Sequence, residues 1–202
     1  GVLSGMNMEG VAIGQIGAVT RDQSFAGLPL MLVMRRVVEE CHNVDDATAI
    51  LTKAKRTVGY NYVVADAKAN TARAYETCAH HCAVFKDNDP KETVEYALPI
   101  ENAVFRADEA MDQTVRSFQA CSKGYPNLPY GCNSYDHRYK GMATRIKDNY
   151  GKMDSATALE TLKAVAMRDT NLHAVLCNVT DHEIWVAHAK GAEDAWKQPF
   201  IK

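Results

Sequence analysis

No stretch of this 202-residue sequence reaches the roughly 20 consecutive apolar residues that a membrane-spanning helix needs. The longest apolar run, "LPLMLVM", is cut off at once by Arg35 and Arg36. Charge of one sign is also missing: 23 basic against 25 acidic residues leave a formal net charge of −2. That balance, with no basic run interleaved with aromatics, gives no reason to expect nucleic acid or a membrane surface as partner. "GQIGAVTRDQ" lacks the Gly-Lys-Ser/Thr that ends a phosphate-binding loop, so nucleotide binding is not expected. There is no internal repeat, no low-complexity tract, and no charged segment leading into an apolar core and cleavage site. Because the chain opens inside an apolar strand pattern, nothing follows about secretion, and no compartment is assigned.

What is present has globular composition: 47% apolar and 24% charged, enough to bury a sizeable core as a single domain over residues 1–202. The six cysteines, Cys41, Cys78, Cys82, Cys121, Cys132 and Cys177, are scattered through a chain large enough to fold without staples. They read as free thiols, with Cys121–Cys132 across a Gly/Pro-rich loop the best disulfide candidate.

"GVLSGMNMEGVAIGQ" begins with a strand-turn-strand pattern: Gly5, Asn7 and Gly10 have turn composition, and Val11, Ile13 and Ile16 mark a strand. A chain that starts this way is expected to be the remainder of something longer. Pro29 suits a first helical turn, and Leu30, Val33, Met34, Val37 and Val38 follow one helical face. "NVDDATAILTKAK" predicts a second helix capped by Asn43, with Asp46 as its capping-box partner. "YNYVVADA" and "TARAYET" predict a hairpin, and "ETVEYALPI" another strand. "ADEAMDQTVRSFQAC", "SYDHRYKGMATRIKDNY" and "DSATALETLKAVAM" predict helices, the last capped by Asp154. "LHAVLCNVT" and "EIWVAHA" predict a closing hairpin. Strands and helices in blocks with hairpin links predict a layered α+β fold and not a doubly wound parallel sheet.

Few local clusters carry chemistry. Cys78, His80, His81 and Cys82 have no second ligand pair to complete a zinc site, and His182 and His188, placed on one face of the last strand, make no site alone. No metal or other cofactor is expected. Asn7, beside a tight turn, could aim its amide at a developing oxyanion. On local chemistry alone, the simpler reading is that it suits the turn.

The order of short motifs resembles the acyl-coenzyme A:6-aminopenicillanic acid acyltransferase family, N-terminal-nucleophile hydrolases distantly related to choloylglycine hydrolases. The residues that carry the likeness are "GMNMEGVAIG", "GLPLMLVMRRVVEECHNVDDATAIL", "YNYVVADA", "ARAYET", "ENAVFRADEAM", "SYDHRY" and the closing "LHAVLCN…EIWVAHAKG". The resemblance implies an α-β-β-α sandwich of antiparallel sheets, here lacking its N-terminal strands, and autoproteolysis exposing an N-terminal cysteine nucleophile. It implies hydrolysis or transfer of an acyl group from a small-molecule amide or thioester. Asn7 and Asn102 match the family's oxyanion donors, although Glu101 and Ala103 flank Asn102 where the family has Thr and His. Arg168 is the nearest match to a late arginine, and its offset departs from the pattern. Tyr125, Leu128 and Tyr130 in "SKGYPNLPYGCNSY" are expected to line an acyl pocket. The family's nucleophile lies upstream of the glycine–any–asparagine turn, so this chain alone is expected to be inactive. Two rival readings stand beside this one. The first is a non-catalytic binding or homo-oligomeric assembly domain pairing through an exposed sheet edge. The second is a hydrolase using an internal thiol, for which no pKa-lowered cysteine is evident.

Overall fold

The computed structural model describes residues 1–119, 138–166, 171–190, 195 and 198–202. Five strands form one antiparallel sheet in sequence order: β1 (Gly5–Met6), β2 (Val11–Gly17), β3 (Tyr60–Asp66), β4 (Thr71–Thr77) and β5 (Cys82–Phe85). Helices α1 (Leu30–Glu40) and α2 (Val44–Lys53) come between β2 and β3. After β5 follow α3 (Gln113–Phe118), α4 (Lys140–Asp148), α5 (Ser155–Val165) and a separate hairpin of β6 (His173–Asn178) and β7 (Glu183–His188). The fold is therefore mixed helix and antiparallel sheet, as the block order predicts.

Strand alternation divides the sheet into two unlike faces. Val11, Ile13, Tyr62, Val64 and Tyr75 point to one side, where Val33, Met34 and Val37 of α1 and Val44, Ala47 and Leu51 of α2 close a core. The other face is built from smaller residues, with Ala12, Ala65 and Ala72 in one cross-strand row. Ala74 and Phe85 on that face pack with Ile100, Phe105, Met111, Tyr139, Met142, Ala143 and Val165 as a second core.

Single polar residues stitch these layers together. Asn43 caps α2 by accepting from the Asp45 and Asp46 N–H groups, while Asp46 reaches back to the His42 N–H. Asp66 accepts from the Val44 N–H at the start of α2 and from the Ala69 N–H in the β3–β4 turn, both near 3 Å. Arg56, 4% exposed, donates to the carbonyls of Leu51 and Ala54 at the end of α2 and to those of Cys78 and His81. A cation there also opposes the negative end of the helix dipole. Glu76, fully buried, meets Arg106 and accepts from the Asp112 N–H.

Several expectations need correction. "ETVEYALPI" forms no strand: Ala97 closes a turn on Val94, and Val94, Tyr96 and Leu98 lie against the second core. β5, around Cys82, takes the sheet edge instead. The helix expected from 107 begins only at Gln113, capped by Asp112 through the Val115 N–H. Pro29 is the N-cap and not part of the first turn, its ψ of 148° being extended. His182 lies in the β6–β7 turn with φ 55°, so it shares no strand face with His188.

Candidate active site

Asn102 stands where three segments meet. The 86–91 loop reaches it through Asp87, whose Oδ2 accepts from the Asn102 N–H at 2.9 Å. Ala103 N–H closes back on the Ile100 carbonyl, and Asn102 takes a left-handed φ of 57°, uncommon outside glycine. Its Nδ2 donates to Tyr150 Oη at 3.0 Å. Behind it lies a cavity of about 630 Å3 between residues 102–105, α4 and α5, walled by Phe105, Met142, Ile146, Met153 and Leu162. A smaller polar depression of about 260 Å3, which Asp66, Asn70, Asp87 and Thr180 help to line, opens on its other side.

The loop that presents Asn102 is held by Asp89, whose carboxylate accepts from the Lys86 and Lys91 N–H groups at 2.9 and 3.0 Å. Burial pushes the Asp89 pKa up, but those N–H groups and the Lys91 ammonium outweigh it and hold the carboxyl below its ordinary range. A folded pKa below the unfolded one stabilises fully above about pH 4 and loses that contribution as pH falls through the folded value. Asp89→Asn is therefore expected to cost about 1–3 kcal/mol at neutral pH. The loss should shrink as pH falls below about 4, as paired urea titrations at neutral and acid pH would show.

Asn7 occupies the β1–β2 turn, and its side chain is fully engaged. Its Nδ2 donates to the Val38 and Cys41 carbonyls at 3.2 and 2.7 Å, and its Oδ1 accepts from the Glu9 and Val11 N–H groups. The amide thus pins the end of α1 to the sheet. Asn7 is not among the positive-φ residues; Gly10, with φ 80°, makes the left-handed step of this turn. A Cβ at Gly10 would lie 2.8 Å from that of Ala67. To serve an oxyanion, Asn7 must first release one α1 carbonyl.

A third depression, about 500 Å3, runs between the small-residue face of the sheet and β6. Asn61, Arg106, Arg138 and His173 border it. Asn61 is fully buried; its Nδ2 donates to the Ala107 carbonyl at 2.8 Å, and its Oδ1 has no hydrogen-bond partner among the described residues. Arg138 Nη1 donates to both carboxylate oxygens of Asp108, at 2.9 and 2.7 Å. The sequence reading passed over both residues as functional candidates, although "YNYVVADA" and "SYDHRY" contain them. Burial lowers the His173 pKa, with His188 across the hairpin adding to the shift.

Burial also decides the cysteines. Cys41, Cys78, Cys82 and Cys177 are free, and burial pushes each up to about 11, so all four stay protonated at neutral pH. Arg36 beside Cys41 and Arg56 beside Cys82 pull the other way, and burial outweighs both. Among the described residues no group of three or more His, Cys, Asp or Glu is placed to hold a metal ion. Tyr125, Leu128, Tyr130 and Arg168, with the Cys121–Cys132 pair, lie outside the described residues.

Residues 1–95 match the family model described as acyl-coenzyme A:6-aminopenicillanic acid acyl-transferase. An uncharacterized protein of Archaeoglobus fulgidus is 25% identical over 162 residues, taking in 76% of this chain and 26% of that protein. That likeness runs past the family match, and the chain spans about a quarter of the relative's length.

Proposed function

We propose that this chain, which belongs through residues 1–95 to the acyl-coenzyme A:6-aminopenicillanic acid acyltransferase family, is part of an enzyme that hydrolyses or transfers an acyl group from a small-molecule amide or thioester. The family match is the observation that carries this reading. The nucleophile is an N-terminal cysteine supplied by a segment preceding Gly1, exposed by autoproteolysis, and the chain without it does not turn over. The thiols of Cys41, Cys78, Cys82 and Cys177, each pushed up to about 11, support placing the nucleophile elsewhere.

In this mechanism the cysteine thiol gives its proton to its own α-amino group, and the resulting thiolate attacks the carbonyl carbon. The tetrahedral oxyanion collapses, the C–N or C–S bond breaks, and the leaving group takes a proton. Water or an amine then attacks the acyl-enzyme and releases the thiolate. Both oxyanions need fixed donors, worth about 2.7–4 kcal/mol each where measured. Asn102 Nδ2 is the first donor, held in place by the Asp87 contact and the left-handed backbone. Asn7 becomes the second on giving up the longer of its two contacts, that to Val38 at 3.2 Å.

The layered α-β-β-α arrangement belongs to the same proposal. Its support is that α1 and α2 cover one face of the five-stranded sheet while α4, α5 and the β6–β7 hairpin lie beyond the other. The test begins with intact mass and N-terminal sequencing of the longer natural protein. We expect a processed chain starting with cysteine that releases amine from acyl anilides, while the 202-residue chain alone releases none. A folded, unprocessed protein inert toward a panel of amides and thioesters would overturn the reading in favour of a binding or assembly domain.

A further inference from the structure

We infer that the cavity between residues 102–105, α4 and α5 binds a neutral, unbranched aliphatic acyl chain, methyl end inward, with its carbonyl at the Asn102 mouth. The assignment of that carbonyl as the reacting one rests on the acyl-transfer reading above; the binding itself does not.

The volume, about 630 Å3, is that of a small-molecule site. Its inner end is buried, formed by Phe105, Met142 and Thr161, whereas Asn102, Tyr150 and Met153 at the other end are exposed. A bound molecule therefore has an apolar end and a polar end. The polar end meets amide and phenol groups: Asn102 Nδ2 and Tyr150 Oη lie 3.0 Å apart.

No charged side chain lines the cavity among the described residues. A carboxylate or ammonium drawn in from the exposed mouth would lose its hydration without an ionic partner, which favours a neutral occupant. An amide or thioester carbonyl meets that condition. The walls favour a straight chain over an aromatic ring. Phe105 already stacks on Tyr139, ring centroids 4.9 Å apart, and the remaining apolar wall is largely Met142, Ile146, Met153 and Leu162. Thioether side chains adjust to a flexible chain of varying length.

The experiment is isothermal titration of the 202-residue chain with neutral N-methylamides of straight-chain acids of six to twelve carbons, and with the phenylacetyl analogue. We expect one saturable site that tightens about fourfold per added methylene until the chain outgrows the cavity, with the phenylacetyl compound weaker. Ala158→Phe and Leu162→Trp, which fill the cavity from α5, should abolish binding while the thermal melt stays cooperative. Length-independent or absent binding overturns the inference, as does binding that survives both filling variants. The wild-type series decides even where a filling variant fails to fold. Straight-chain binding in a protein whose longer form transfers no acyl group would keep the cavity and remove the reaction. Transfer of arylacetyl groups without straight-chain binding would do the reverse.

Discussion

Arg106→Ala is expected to destabilise the protein by about 3–5 kcal/mol, the usual result of removing one partner from a buried ion pair. Arg106 is 9% exposed. Its Nε lies 2.6 Å from Glu76 Oε1, and its Nη2 lies 2.5 Å from Glu92 Oε1. Nη1 donates to the Phe105 carbonyl at 2.8 Å, and the guanidinium sits 4.7 Å from the centre of the Phe85 ring. The Nε contact lacks hydrogen-bond alignment, so that pair is chiefly ionic. Alanine would leave two carboxylates buried beside each other, with Glu76 already raised in pKa by burial against the pull of Arg106. For a domain of this length the melting temperature should fall by roughly 6–20 °C. Arg106→Lys keeps the charge but not the fork that reaches both carboxylates, so an intermediate loss is expected. If Arg106→Ala melted within about 2 °C of the parent, the network would not be holding β4 to the segment that precedes α3.

The motifs that carried the family likeness prove to be mostly structural fastenings. The Asp of "YNYVVADA" caps α2 and the next turn, the Glu of "ARAYET" anchors Arg106, and the Asn of "GMNMEG" holds α1. Such residues are legible in sequence because a buried polar group needs one particular partner. Caps and hairpins were legible for a related reason: Asn43, Asp154 and the 67–70 turn depend on neighbours within four residues. "ETVEYALPI" alternated like a strand because Val94, Tyr96 and Leu98 do face a core, yet among the described residues no neighbouring strand accepts them. Strand pairing is decided at a distance, and the local pattern could not report that β5 already held the edge. Asn61 and Arg138 were missed for the same reason. Their partners, Ala107 and Asp108, are 46 and 30 residues away, and only folding shows that they border one depression.

Replacing the two asparagines should separate positioning from chemistry in the acyl-transfer reaction proposed above. Asn102→Ala removes an exposed amide that donates to Tyr150 and sets alanine at a left-handed φ, so a loss of only about 1–2 kcal/mol, roughly 2–8 °C in melting temperature, is expected. If Asn102 is an oxyanion donor, kcat should fall by about 10²–10³ with KM little altered. Asn7→Ala removes four hydrogen bonds, two inside the β1–β2 turn and two that tie it to the end of α1, and it takes their amide donor from the Val38 and Cys41 carbonyls. Its expected cost is about 2–4 kcal/mol of stability, seen as a lower urea midpoint. Its effect on kcat tells which role prevails. A variant assayed well below its melting temperature that keeps its parent's kcat would make Asn7 a fastening and nothing more. A further 10²-fold loss under those conditions would mean that the amide leaves Val38 during the reaction and meets the oxyanion. Asn7→Asp sharpens the distinction. It retains the acceptor for the Glu9 and Val11 N–H groups but sets a carboxylate against two carbonyls and any oxyanion, so both readouts should be worse than for alanine.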